Sequence, residues 1–412
     1  MRAKLFCSRQ RFLAMDYTIE ATIRRQVAYC QANDWSGYDP YDALNSKIFA
    51  AVPMLSSRAP RLLFTQLLKR SPVNIRRLAM IPRKQNPKAL ALFLSSFLNL
   101  SDAQLAGRED LIRIMINRLT ALRSPGVPHW CWGYSFAWQT RTVLVPTYAP
   151  NLVCTTFVAE ALLDAFERIG DAECLTMAVS AGEYILSDLY WSEGEAAGFS
   201  YPTPGLKSHT HNANLMAAAL LCRLAQKCNE RKFLAPALRA ARYAVSKQRP
   251  DGSWYYGESR SSRWIDNFHT GYNLGALQSI GRELATHEFD TSMYRGFEFY
   301  RTNFFRRDGA PKYFHDRDYP ADIHCVAQSI ITLVAFKEIN STNLELADAL
   351  FRWAMTHMWD DRGFFYYRVL RLCKIRTPYM RWSQAWMLLA LTTLLNISKF
   401  DSARESERQL AV

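Results

Sequence analysis

The chain has 412 residues, 49% of them apolar and 21% charged, with a formal charge of +14. That length is enough to bury a sizeable core, and the composition excludes a disordered chain. No run approaches 18 uninterrupted apolar residues, so no transmembrane helix is expected. The charge favours an anionic partner, an acidic polysaccharide, a lipid phosphate, a membrane surface or nucleic acid; without a recognisable nucleic-acid module, the last is not expected.

Residues 1–14 form a basic N-terminal extension whose apolar part is too short for a signal peptide, and Met15 is a second candidate start. Ile19, Ile23, Val27 and Cys30 recur at helical spacing in 17–34, and Gly37 and Pro40 end that helix. Residues 43–85 read as an inserted basic, partly helical excursion broken at Pro53, Pro60, Pro72 and Pro82. Much of the positive charge lies in 58–88 and in 362–381, where solvated helix faces are the plainest explanation. Helices are predicted over 87–99 and 102–122.

From Pro125 a pattern repeats: a helix, a turn of glycine and aromatic residues, a short polar segment, then an almost wholly apolar helix. The turns are Trp132-Gly133-Tyr134, Gly198-Phe199-Ser200-Tyr201, Gly252-Ser253-Trp254-Tyr255, Gly309-Ala310-Pro311-Lys312-Tyr313 and Gly363-Phe364-Phe365-Tyr366, with Trp35-Ser36-Gly37-Tyr38 as a sixth. From Gly198 to Gly363 the steps are 54, 57 and 54 residues. The helices starting near Asn151, His211, Asp266, Asp322 and Met380 are apolar all round and should be buried. Their amphipathic partners over 172–190, 232–248, 291–304 and 343–358 should lie outside. A period of about 55 residues made of helix pairs means neighbouring units complete each other's core. The expected fold is all-α, an (α/α)6-type toroid of about six hairpins spanning the chain as one domain. Residues 17–34 then pack outside the last inner helix, 380–396, and 400–412 form a polar tail.

In such a ring the inner helices present the same end to one face. That gathers Asn151 and Thr155, His211, Asn212 and Asn214, Asp266, Asn267 and His269, Asp322 and His324, and Arg381 and Gln384. His269 and His324 are 55 residues apart, and Asp266 and Asp322 are 56 apart. The Asn and Asp side chains also suit N-capping, which would make them structural. Histidines cap poorly, and a helix N-terminus disfavours the imidazolium, so His211, His269 and His324 are candidate neutral bases with Asp266 or Asp322 as orienter, acid or base. Arg263 and Arg381 are suited to clamp a substrate carboxylate. The rings of Trp132, Trp254, Tyr255, Tyr256 and Trp382, out of 11 Trp, 20 Tyr and 23 Phe in the chain, are candidate stacking walls or ordinary packing. Cys154 with the three histidines has zinc-ligand chemistry but no zinc-site spacing, so no metal and no cofactor is expected. Nine scattered cysteines without a C-x-x-C pair read as reduced thiols of a cytoplasmic protein.

Gln248-Arg249-Pro250-Asp251-Gly252-Ser253-Trp254 resembles the Q-x3-G-x-W turn of terpenoid cyclase and prenyltransferase toroids, where it ties outer helices together. The acidic D-x-D-D signature of the protonating cyclases is missing. A second resemblance covers nearly the whole chain. Gly37-Tyr38-Asp39-Pro40-Tyr41-Asp42, Pro150-Asn151-Leu152-Val153, His211-Asn212-Ala213-Asn214, Trp264 to Tyr272, Tyr319 to His324 and Met380 to Trp386 are similar to motifs of bacterial proteins encoded with exopolysaccharide and surface-glycan synthesis genes. Those proteins carry a toroid related to six-hairpin glycosidases and sugar epimerases. Arg381-Trp382-Ser383-Gln384-Ala385-Trp386 is also similar to the R-G-Q-x-W segment of unsaturated glucuronyl hydrolases, with Trp-Ser in place of Gly.

The resemblance implies a role in polysaccharide assembly, on an anionic or neutral glycan or its lipid- or nucleotide-linked precursor. The setting would be the cytoplasm, peripheral to the inner membrane, beside other glycan-synthesis proteins. Three chemistries stay open: acid/base epimerisation or elimination next to a carboxylate, with His269 and either His211 or His324 as bases; hydrolysis by a carboxylate pair, Asp266 with Asp322 or Asp39 with Asp42; and glycan or partner binding without catalysis. A prenyl or terpenoid cyclase is the remaining alternative.

Overall fold

The computed structural model describes residues 18–397, so the N-terminal extension, Met15 and the 400–412 tail lie outside the described residues. Twelve helices carry the ring. The outer set is α1 (Ile19–Ala32), α4 (Arg108–Ala121), α6 (Ala172–Tyr184), α8 (Leu234–Ser246), α10 (Asp290–Asn303) and α12 (Thr342–Met358). The inner set is α3 (Pro87–Leu98), α5 (Leu152–Ile169), α7 (His211–Cys228), α9 (Asn267–Leu284), α11 (Ile323–Ala335) and α13 (386–397), the last entered through a π-helical turn, Met380–Ala385. The remaining helix of note, α2 (Arg58–Arg70), belongs to the excursion.

Each inner helix packs against the next, and the π-helical turn touches both α11 and α3, which closes the ring. The sequence places these helices inside because apolar residues surround them. In α3 every residue except Ser95 is buried, and α7 and α11 are nearly as enclosed. Outer helices such as α8 bury one stripe, Ala237, Ala240, Ala241 and Ala244, spaced three and four apart. Helix α1 packs outside the last inner segment, where Gln26 Nε2 donates to the Gln384 carbonyl at 3.0 Å. The architecture is thus the all-α toroid that the repeat predicts, with α3 supplying the sixth inner helix that the 55-residue count did not identify.

Short strands decorate the turns. Tyr190–Glu193 pairs antiparallel with Ala196–Phe199. Ala321–Asp322, Arg368–Val369 and Lys374–Ile375 form a three-stranded patch whose register sets Arg368 opposite Asp322. The glutamine turn ties neighbouring outer helices together: Gln248 Nε2 donates to the carbonyls of Gly252 and Ser292, both at 2.8 Å, and its Oε1 accepts from Ser292 Oγ at 2.6 Å.

Two glycines at matching turn positions separate backbone strain from crowding. Gly252 (φ +88) and Gly309 (φ +80) both lie in the left-handed region. A Cβ on Gly252 would collide with the Arg295 carbonyl, whereas at Gly309 the nearest atom is Ala349 Cβ at 3.9 Å. Gly309→Ala is expected to cost about 1–2 kcal/mol from conformation alone. Gly252→Ala adds overpacking and should cost ~3 kcal/mol or more. Urea unfolding of both variants checks this, and equal losses would contradict the close approach.

Candidate active site

The inner-helix N-termini converge on a cavity of about 750 Å³. Capping is the local reason that polar side chains gather there. Asn86, Asn151, Asp266 and Asp322 each accept a hydrogen bond from a first-turn backbone N–H, satisfying donors the helix leaves open.

Asp266 has a second task. Its Oδ1 caps α9 through His269 N at 3.0 Å, while Oδ2 lies 2.7 Å from His269 Nδ1 and accepts from Trp264 Nε1 at 2.9 Å. A carboxylate at Nδ1 holds the proton on that nitrogen and leaves Nε2 with a free lone pair. His269 is partly exposed and lines the cavity. Tyr256 is 4.6 Å from its ring and Phe268 4.1 Å, which restrict its orientation.

A second pair faces the same space. Tyr272 Oη lies 2.6 Å from His324 Nε2, and both residues line the cavity. Burial, then the neighbouring Lys88 and Arg381, hold His324 well below the usual imidazole range, and burial pushes Tyr272 well above the usual phenol range. Both groups are therefore neutral at pH 7: the phenol donates to Nε2, and the ring proton sits on Nδ1, which has no partner. His324 is stacked at 4.5 Å on both Phe268 and Trp386.

Lys88 of α3 lines the same cavity, buried to 3% exposure. Its amine has no hydrogen-bond or ion-pair partner among the described residues. It lies 3.8 Å from the Phe157 ring centroid, 5.3 Å from Trp386 and 5.6 Å from Tyr272. Burial, with Arg381 close by, lowers its pKa well below the usual ammonium range. Seven basic side chains line the cavity (Lys69, Lys88, Arg141, Arg249, Arg263, Arg317 and Arg381) against two carboxylates, Asp266 and Asp316. The space favours an anion.

The cavity thus brings together His269, Asp266, His324, Asn212, Tyr255, Tyr256, Arg263, Arg381 and Trp382 from the residues the sequence singles out. Others are engaged elsewhere. His211 is buried outside the cavity wall, its Nδ1 without a partner. Asp322 is fully buried and bound by His324 N, Trp382 Nε1 and Arg368 Nε. Asp39 accepts a two-pronged bond from Arg381 (2.6 and 2.8 Å), so that guanidinium already holds a carboxylate; Asp42 pairs with Arg76 at 2.8 Å. Trp132 and Trp254 are buried and donate to the carbonyls of Leu119 and Ala244, which makes them packing residues rather than stacking walls. Asn214 accepts from Phe199 N, Asn267 bonds Tyr300 and Ser329, and Gln384 exchanges two bonds with the Phe365 backbone. Asn151 is occupied as a cap. Among the described residues no group of three or more His, Cys, Asp or Glu is placed to hold a metal ion, the Cys154–His211–His269–His324 combination included.

Sequence reasoning missed Lys88, Tyr272, Tyr134 and Tyr41. Lys88 had a signal: a lysine directly after the Asn86-Pro87 start of an otherwise apolar helix. Aligning that helix with the other inner ones would have placed it at the mouth.

No protein-family model matches the sequence, and no curated protein matches it. Solved structures do. Cellobiose 2-epimerase from Bacillus thermoamylovorans aligns over 77% of this chain and 90% of its own, with 11% identity and a TM-score of 0.57. An alpha-mannanase from Bacteroides thetaiotaomicron aligns over 77% and 87% with 12% identity and a TM-score of 0.57. An unsaturated glucuronyl hydrolase specific for heparin aligns over 77% and 89% with 13% identity and a TM-score of 0.55. The chain shares their fold.

Burial makes a histidine outside the cavity a pH sensor of stability. His211 is drawn down to about 4 in the folded chain, chiefly by desolvation. Unfolded, it titrates as an ordinary imidazole, near about 6.5. As pH falls from about 6.5 towards 4 the unfolded state binds a proton that the folded state refuses, so stability is lost, by roughly 3 kcal/mol from this group. Thermal melts of His211→Gln should fall less steeply over that window than those of the parent chain. An unchanged slope would remove His211 as the cause.

Proposed function

We propose that this chain processes an anionic sugar or glycan by acid/base chemistry at the carbon next to a carboxylate, an epimerisation or elimination, in the assembly of a surface polysaccharide. The observation that carries the reading is the Asp266–His269 pair, with a 2.7 Å contact at Nδ1, set into a cavity with an excess of cations. His269 Nε2 takes the proton from carbon. Tyr272, positioned by its bond to His324, stands as the neutral donor that returns a proton in epimerisation or delivers one to the leaving oxygen in elimination, and its phenolate regains a proton as His269 gives up the abstracted one through solvent. Lys88 and Arg263 meet the carboxylate and the charge that builds up as the proton leaves, with Arg381 behind them. Tyr255 and Trp382 offer sugar-stacking faces.

The shared fold is consistent with this reading, because its neighbours include sugar epimerases and a hydrolase specific for heparin, itself an anionic glycan. The cytoplasmic setting and a lipid- or nucleotide-linked precursor are part of the proposal. Hydrolysis by a carboxylate pair is less well supported, since Asp322, Asp39 and Asp42 are paired with Arg368, Arg381 and Arg76 and none of the three carboxylates lines the cavity. The arginines in the wall also argue against carbocation chemistry of the cyclase kind.

Deuterium tests the reaction class. In heavy water with uronate-containing oligosaccharides, epimerisation should place deuterium on the carbon next to the carboxylate and elimination should leave an unsaturated uronate that absorbs in the ultraviolet, whereas hydrolysis would give neither. His269→Ala should slow turnover by about 10²- to 10⁴-fold. Asp266→Asn keeps the helix cap but not the charge, so it should lower turnover without a comparable loss of stability. If His269→Ala and His324→Ala leave glycan composition and yield unchanged in the producing cell, the catalytic reading is wrong.

A further inference from the structure

Between Asp42 and Asp102 the sequence has no acidic residue, while 43–88 carries ten lysines and arginines. The same stretch holds nine of the fourteen large apolar side chains exposed among the described residues, all between 48 and 80. They include Met54 (88% exposed), Leu63, Leu67, Val73 and Leu78 (77% exposed). Helix α2 shows the pattern in small. It buries Thr65 and Leu68, the latter in a small core with Ala43 and Ile81, and turns Leu63 and Leu67, one helical turn apart, to solvent. A surface helix built for water carries the opposite arrangement.

Exposed cations surround these residues. Lys47, Arg70 and Arg77 make no ion pair or hydrogen bond through their side chains with other described residues, and Arg58 reaches only the Arg141 carbonyl. Apolar side chains among unpaired cations suit the boundary of an anionic bilayer, where the apolar groups enter the acyl region and the cations stay with the headgroups. A protein interface is a poorer match, because its core is depleted in charge and would desolvate these cations.

We propose that the 47–80 face docks on the surface of a bilayer containing anionic phospholipid. Gln66 and Lys69, on the same helix as Leu63 and Leu67, line the cavity together with Tyr41, so docking brings the cavity rim to the membrane. On the glycan reading above, that rim would receive a lipid-linked substrate. The docking itself does not depend on that reading.

The test is sedimentation of the full chain with vesicles of phosphatidylcholine alone and of phosphatidylcholine mixed with phosphatidylglycerol. Binding to the mixed vesicles, weakened by salt, is expected. Leu67→Asp combined with Leu78→Asp should abolish it. Arg70→Gln and Arg77→Gln should each weaken partitioning by about five-fold. All four side chains are exposed and none lines the cavity, so melting and turnover of soluble glycan fragments should be unchanged. No binding to either vesicle, equal binding to both, indifference to the substitutions, or a solution dimer that the Leu67→Asp and Leu78→Asp changes dissociate would each overturn the proposal. Since vesicle binding needs no turnover, its failure is separate from failure of the catalytic reading.

Discussion

Six helix N-termini aimed at one cavity set the electrostatics on which the rest of the molecule depends. Each leaves unbonded N–H groups and a partial positive charge at its end. The chain answers with short acceptors, Asn86, Asn151, Asp266 and Asp322, whose first role is to complete helices. Only Asp266 has an oxygen left over for a cavity histidine. Asp322 spends its second oxygen on Arg368, delivered by strand register. Equivalent positions in the repeat have therefore diverged, one towards orienting a base and the other towards holding the wall that carries Trp382.

The excursion is tied into the ring by a chain of buried charges. Arg76 bonds Asp42 and the Asp39 carbonyl, Asp42 accepts from Asp39 N, and Asp39 holds Arg381 at the entrance to the last inner helix. Removing one member would strand a buried charge, a loss typically of 3–5 kcal/mol, whereas replacing a whole pair by apolar groups is often neutral. Such a ladder is better understood as fixing where the excursion sits than as a source of net stability. Its position determines which face of α2 meets the cavity.

Much of the fold was legible because a toroid repeats its physics. The apolar inner helices, the amphipathic outer ones and glycines 252, 309 and 363 all announced the period. The sixth inner helix was hidden because the excursion separates Gly37 from Pro87 and breaks the spacing. The site was legible only in part. Residue type and helix position identified His269, Asp266 and His324, but could not distinguish a side chain aimed into the cavity from one saturated beside it. His211 and His269 both begin inner helices, yet only His269 has a capping aspartate three residues before it to take Nδ1. Asp39, Asp42 and Arg381 looked like open binding groups because their partners lie 34 to 342 residues away in sequence. Lys88 went unread because a lone lysine among apolar residues usually reaches the surface.

That lysine is the most informative group in the cavity. An amine buried beside Arg381 with only aromatic faces around it is an expensive arrangement if charged, and the structure relieves the strain by favouring the neutral form. His324 is held neutral chiefly by the same burial. A ligand carrying a carboxylate or phosphate into this space would reverse the balance, because the anion stabilises the protonated amine. Burial thus disfavours protons on Lys88 and His324, and an anionic ligand would supply the countercharge that favours a proton on Lys88. Binding and protonation are then a single linked equilibrium, which ties the excess of cations in the wall to the proton transfers proposed for His269 and Tyr272.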